Sequence, residues 1–379
     1  MKFIHLSDLH IGKRVNEYSM LEDQQYILEK IIKIADEEKP DGVIIAGDVY
    51  DKTVPSAEAM QLFDDFLVML SKRHLKVFII SGNHDSPERL AFGRKFMKDG
   101  GIYISPVYDG NIEPIVLEDD FGNLNVWMLP FIKPSHVRHF NENAVIESYT
   151  DAVQTAIRNF KIDTNERNIL ITHQFVCGAE RTESEEISVG GSDAVAVDVF
   201  DDFDYTALGH IHRAQNCSSE KVRYSGTPLK YSFSESKDKK SVTVVELREK
   251  GQISVKETEL IPLHDMVEIK GKYEDIMLHD FYKDTTYNHD YMHITLTNEE
   301  EITDVIGKLR TVYKNIMKLD YDNTRTRSSN RIENNEASEQ KTPFEQFSQF
   351  FELQNNMPMT DKQKDFMLNL IEQVWEEEL

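Results

Sequence analysis

Lys2-Phe3-Ile4-His5-Leu6-Ser7-Asp8-Leu9-His10 opens the chain with a short apolar run that stops at an Asp-X-His triplet. The pattern recurs along the sequence. Gly42 to Ala46 leads into Gly47-Asp48, Val77 to Ile80 into Gly82-Asn83-His84-Asp85, Asn168 to Thr172 into His173, and Tyr205 to Leu208 into Gly209-His210-Ile211-His212. Short continuous apolar runs read as strands, and Asn125 to Leu129 adds another. Between the first two runs, Leu21, Leu28, Ile31, Ile32 and Ala35 fall at helical spacing within Leu21 to Lys39. Between the next two, Met60, Phe63, Leu67 and Leu70 do the same within Ser56 to Arg73. Strand–helix alternation of this kind predicts βαβ crossovers and a layered α/β or α+β domain.

At 379 residues the chain exceeds the size at which single cores stop growing, so more than one domain is expected. The first expected domain spans residues 1–262. A second, at 263–321, has strands near Val267 to Ile269 and Tyr291 to Leu296 and a helix near Glu301 to Ile316, and reads as a small α/β cap. Residues 322–341, poor in apolar side chains, read as a flexible linker. In 342–379, Phe344, Phe347, Phe350, Phe351 and Leu353 are followed, after Pro358, by Phe366, Leu370, Ile371 and Val374 at helical spacing. Such a helical pair has too little core to stand alone. It packs back on the catalytic domain or docks on a partner, and spacing does not decide between them.

No apolar run approaches the roughly 18 residues that span a bilayer, and Met1 enters a strand directly, so a cytoplasmic protein with no membrane partner is expected. Two cysteines, Cys177 and Cys217, are too few for a disulfide framework and read as small core or near-core residues. The formal charge of −24 excludes a generic nucleic-acid coat protein, because a polyanion needs concentrated positive charge. Arg89, Arg94, Lys95 and Lys98 form a basic cluster that reads either as a solvated helix face or as a local DNA contact.

Ligands of open α/β sheets gather beyond the carboxyl ends of the strands, so the five loops are expected to converge. Asp, Asn and His offer oxygen and imidazole nitrogen, a set suited to manganese, iron or zinc rather than to an all-oxygen calcium cage. Two ions about 3.5 to 4 Å apart need a bridging ligand, and Asp48, with its two carboxylate oxygens after a glycine, suits that place. His84 neighbours a proposed ligand and is suited to stabilising phosphoryl charge or protonating a leaving oxygen. Asp85 is read both as the residue orienting that imidazole and as a cap for the helix beginning near Pro87.

Asp-X-His, Gly-Asp, Gly-Asn-His-Asp, His and Gly-His-X-His together resemble the calcineurin-like metallophosphoesterases. Asp8-Leu9-His10-Ile11-Gly12-Lys13, Tyr205 to His212, and Tyr224-Ser225-Gly226-Thr227-Pro228-Leu229-Lys230-Tyr231-Ser232-Phe233-Ser234-Glu235 are similar to the bacterial SbcD family in particular. The resemblance implies a β-sandwich flanked by helices. One metal would fall to Asp8, His10, Asp48 and His212, the other to Asp48, Asn83, His173 and His210, with His84 and Asp85 catalytic. It further implies two divalent ions, manganese in this family. It implies exonuclease action on duplex DNA ends and endonuclease action on single strands and hairpins, in DNA repair, recombination and replication. The implied partner is an SbcC-type SMC-like ATPase gripped by the C-terminal helices, in a heterotetramer built on a nuclease homodimer. Archaeal relatives carry a further histidine shortly after the bridging aspartate, where this chain has Val49, Tyr50 and Asp51. The rival readings are a phosphoesterase for another phosphodiester and an adaptor that has lost the chemistry; missing ligands would mark the latter, and none is missing.

Overall fold

The computed structural model describes residues 1–141, 144–182, 185, 193–300 and 302–324, then Phe344, Phe347, Ser348, Phe351, Met359, Thr360, residues 362–364, Phe366 and Met367. Two six-stranded sheets dominate it. The first contains β1 (Lys2–Leu6), β2 (Gly42–Ala46), β3 (Lys76–Ile80) and β4 (Ile102–Ile104) as parallel neighbours. The second is built from β5 (Ile115–Asp119), β6 (Gly122–Leu129), β7 (Arg167–His173), β8 (Tyr205–Gly209), β9 (Gln215–Cys217) and β10 (Ser219–Tyr224). There β6, β7, β8 and β10 run parallel. The chain then returns to the first sheet: β11 (Ser241–Leu247) pairs antiparallel with β1, Lys2 opposite Glu246, and β12 (Ile253–Glu259) closes that edge.

Side chains of opposite sheets share one core. Phe3, Ile44, Phe78 and Ile80 of the first pack with Val126, Met128, Ile169, Ile171 and Ala207 of the second. Burying each large side chain there contributes about 1.5–3 kcal/mol. Outside the first sheet lie α1 (Leu21–Glu38) and α2 (Ala57–Ser71), and with the second packs α3 (Tyr149–Arg158). This is the expected α/β sandwich flanked by helices. Ile27, Leu28, Ile31, Ile32 and Ala35 form the buried stripe of α1, which ends at Lys39 in a left-handed turn. Ser56 caps α2 by accepting a hydrogen bond from the Ala59 amide at 3.2 Å. Met60, expected on its apolar stripe, is instead more than half exposed, and Phe66 takes a core place beside Phe63. Cys217 is buried as expected, but Cys177 is exposed.

Contacts divide the chain into two compact units, Met1–Lys270 with Glu274–Ile294 and Asp304–Leu319, and Gly271–Tyr273 with Thr295–Thr303 and Asp320–Leu379. The segment read as a cap carries a three-stranded sheet, β13 (Met266–Gly271), β14 (Tyr291–Leu296) and β15 (Asn315–Tyr321), in that order. The helix expected at Glu301 to Ile316 shrinks to Val305–Leu309, and Ile316 belongs to β15. Gly307 weakens the helix, and the β-favouring Thr311-Val312-Tyr313 ends it. Of the C-terminal helical pair, Phe344, Phe347, Phe351 and Phe366 have helical backbone. Phe350, Leu353, Leu370, Ile371 and Val374 lie outside the described residues, as do residues 325–341 of the expected linker.

Candidate metal centre

The strand register brings the five loops together. Ala46 pairs with Ile80 across β2 and β3, and Gly209 with His173 across β8 and β7, so loops from both sheets leave the sandwich at one end. Close approach there leaves no room for side chains at two glycines. A Cβ on Gly209 would run into the Ala46 carbonyl, and one on Gly82 into the Asp48 carboxylate. Asp8, His10, Asp48 and His210 all adopt positive φ, backbone strain of the kind that clusters at functional sites.

All seven proposed donors meet here. Asp48 Oδ2 lies 3.8 Å from His10 Nε2 and 3.3 Å from His173 Nε2, between the two halves of the set. In one half His10 Nε2 faces His212 Nε2 at 3.2 Å, and Asp8 lies within the same cluster. In the other, Asn83 Oδ1 is 2.9 Å from His173 Nε2 and 3.0 Å from His210 Nδ1. His173 Nδ1–H donates to the Ala46 carbonyl at 2.9 Å, which turns Nε2 toward the centre. Asp8 accepts the His210 amide at 3.1 Å.

Burial sets the charge states. It drives His10 and His212 well below the ordinary histidine value and His210 down to about 3, leaving three neutral imidazoles. Burial, with the Asp48 charge nearby, lifts Asp8 to about 7. Asp48 stays below the usual carboxylate range: burial acts upward, but His173, charged and hydrogen-bonded to it, outweighs that. The same attraction overcomes burial at His173 and raises it to about 9. Among the described residues His10 Nδ1 has no hydrogen-bond partner. Neutral imidazoles and carboxylates facing one another in a buried pocket are the donor set that divalent cations satisfy.

His84 and Asp85 separate from the donors in different ways. The half-buried His84 places its ring edge-on to His10, 4.8 Å between centroids, and its Nδ1–H donates to the Asp51 carbonyl at 3.0 Å. Its amide donates to Asp48 Oδ1 at 2.9 Å. Asp85, expected to orient the imidazole, is engaged by backbone amides instead: Gly82 at 2.9 Å, Val49 at 3.1 Å and Tyr50 at 3.0 Å. It ties the Asp48 loop to the His84 loop, and the Asp51 carbonyl holds the ring. The cap of the short helix at Pro87 is Ser86, not Asp85.

Several supporting residues were not singled out by sequence reasoning. Lys240 Nζ donates to the His212 carbonyl at 2.9 Å, to Thr227 Oγ1 at 2.8 Å and to Glu235 at 2.5 Å, with both charges buried. Glu185 accepts the His212 amide at 2.7 Å. Gln24 Nε2 donates to the His10 carbonyl at 2.8 Å, and the Tyr231 hydroxyl donates to the Leu9 carbonyl at 2.5 Å. Glu235 ends the Tyr224 to Glu235 stretch, the one signal that pointed toward it. Arg89, Arg94 and Lys95 follow the His84 loop on two four-residue helices and Lys98 opens a 3-10 turn after them, beside Phe92 and Phe96, which are exposed.

Residues 1–214 match the calcineurin-like phosphoesterase family, and residues 262–355 match a domain described as type 5 capsule protein repressor C-terminal domain. A protein of Staphylococcus epidermidis, named as the SbcD component of the nuclease SbcCD, is 34% identical over 323 residues, 84% of this chain and 85% of the relative. Its counterpart in Staphylococcus saprophyticus is 33% identical, covering 84% of each. A dimetal phosphatase of Danio rerio aligns with 69% of this chain and 96% of its own at 13% identity and a TM-score of 0.43. With a phosphoesterase model matching more than half its length and relatives aligned over most of both chains, the chain belongs to the calcineurin-like phosphoesterases and, among them, to the SbcD family.

Proposed function

We propose that the chain is a two-metal DNA nuclease, with Asp8, His10, Asp48 and His212 holding one divalent ion and Asp48, Asn83, His173 and His210 the other. The observation that carries this is the position of Asp48 Oδ2 between His10 and His173, where one carboxylate serves both halves of a buried donor set. The relatives are named as nucleases, which supports DNA as the substrate. Manganese is the proposed ion, and the actions are exonuclease on duplex ends and endonuclease on single strands and hairpins, in repair, recombination and replication in the cytoplasm.

Bound divalent ions would lower the pKa of a water and neutralise charge developing on the phosphodiester. The chain's own contribution is positional. Asp85 locks two loops together through three backbone amides, so Asp48 and His84 hold a constant separation. His84, with Nδ1 committed to the Asp51 carbonyl, keeps Nε2 for a phosphoryl oxygen or the departing sugar oxygen.

Residues 1–262 make up the catalytic domain in this reading, 263–321 a cap, 322–341 a linker and 342–379 the helices that dock on an SbcC-type ATPase. The nuclease forms a homodimer within a heterotetramer. The test is manganese-dependent cleavage of a DNA hairpin by the purified chain, with and without that ATPase, beside His84→Gln. Cleavage by the wild type and its loss in the variant are expected. Metal binding without DNA cleavage in either condition would sink the nuclease reading and turn attention to small phosphodiesters.

A further inference from the structure

A pocket of about 140 Å³ opens beside the second half of the donor set, lined by Asn83 and His210 themselves and by Phe131, Lys133, Tyr149, Gln174, Phe175 and Asp193. Its walls are the segments that follow the strand ends. Phe131 stands two residues past β6, Gln174 and Phe175 directly follow His173, and Tyr149 begins α3. These walls are held rigidly. The Phe131 amide donates to the Ser81 carbonyl at 2.9 Å, and its ring stands edge-on to His173 at 6.1 Å. Arg181 lies over Phe175, 3.6 Å from the ring centroid, and is tied to Asp193 at 2.7 Å. Gln174 Nε2 donates to the Ile132 carbonyl at 3.1 Å.

We propose that this pocket takes the nucleoside adjoining the scissile phosphate, its base stacked against Phe175 and Tyr149; the inference rests on the nuclease reading. Two observations select that ligand. Three half-buried aromatic rings at the edge of a metal centre offer stacking to any base, since every base has a π face. The volume is below the roughly 300–1,000 Å³ of whole-ligand pockets and suits a single ring system. A free phosphate would call for clustered cations, whereas Lys133 is the single lysine or arginine among the lining side chains.

The test compares kcat/KM of the manganese-loaded full chain for thymidine 5′-(p-nitrophenyl phosphate), its 3′ isomer and methyl p-nitrophenyl phosphate, which share one leaving group. A preference of roughly five- to hundredfold for one thymidine ester over the methyl ester is expected. In Phe175→Ala and Tyr149→Ala that ratio falls toward one, and Phe175→Leu, which keeps bulk but no ring, lowers it as well. Equal rates for all three esters in the wild type, or a ratio unmoved in every variant, would overturn the proposal. DNA cleavage is followed in parallel. An enzyme that hydrolyses the methyl ester but no oligonucleotide fails the nuclease reading, whereas one that cuts DNA without nucleoside preference fails only the pocket.

Discussion

The two halves of the donor set stand on different foundations. Behind Asp8, His10 and His212 lies a buried polar scaffold: Gln24 and Tyr231 hold the carbonyls of His10 and Leu9, Glu185 holds the His212 amide, and Lys240 with Glu235 holds its carbonyl. Behind Asn83, His173 and His210 the support is main chain and steric fit, through the Ala46 carbonyl and the glycines at 82 and 209, and the outer side opens to the aromatic pocket. A half built on buried charge can be broken by one distant side chain. A half built on backbone is broken mainly by adding atoms.

The largest effect should come where the halves join. Asp48→Asn removes a charge that both share, so manganese capacity and phosphodiesterase activity are both expected to vanish, as read by titration and by hydrolysis. Retention of one ion would show that the halves are independent.

His84→Gln leaves both halves standing and should lower hydrolysis by roughly 10² to 10⁴-fold, the usual worth of one acid–base or charge-stabilising group. An undiminished rate with ions bound would remove His84 from the chemistry.

Lys240→Met attacks one half alone. It removes the buried cation that faces Glu235, a loss of roughly 3–5 kcal/mol in denaturant unfolding, and supporting residues of this kind alter metal affinity by about 10- to 100-fold. One of the two ions should weaken and the other hold. Adding Glu235→Gln to the same chain should recover much of the stability without recovering the ion, which separates folding from positioning.

The smallest effect concerns His5, which links β1 to β8 through the Tyr205 hydroxyl at 2.9 Å and the Leu208 carbonyl at 3.2 Å. Burial, helped by the Arg223 charge, depresses its pKa from 6.5 to about 3. Between those values the unfolded chain binds a proton that the folded chain refuses, so His5 favours folding above that window and its contribution is lost as pH falls through it. The slope is at most about 1.4 kcal/mol per pH unit. In metal-free protein, the loss of stability from pH 6.5 to pH 5 should be shallower in His5→Asn than in the wild type; equal slopes would contradict the assignment.

Much of this was legible because strand runs and their endings are local. Gly42 to Ala46 is apolar throughout and cannot face water on either side, so its sheet had to be covered, and Asp48 had to emerge at its carboxyl end. What escaped the sequence depends on pairing across hundreds of residues. The register of Lys2 with Glu246 extends the first sheet through a strand, Ser241–Leu247, that periodicity had not marked. Lys240 and Glu185 carry no local pattern that singles them out; folding places them, with Glu235, behind His212. Asp85 was misread for a related reason: adjacency to His84 suggested contact with its ring, but three converging amides are the stronger claim on a carboxylate. The helix at Glu301 to Ile316 failed because apolar spacing alone does not weigh Gly307 against the β-favouring residues after it.

The central claim is a two-ion centre that excludes His84, although His84 lies close enough to His10 and Asp48 to complete a donor cluster of its own. Manganese titration of the purified full chain, wild type beside His84→Gln, tests it most directly. Two ions per chain in both proteins is the predicted result. A single ion in the wild type, or loss of an ion in the variant, would contradict it and make His84 a ligand rather than the group that acts on the phosphate.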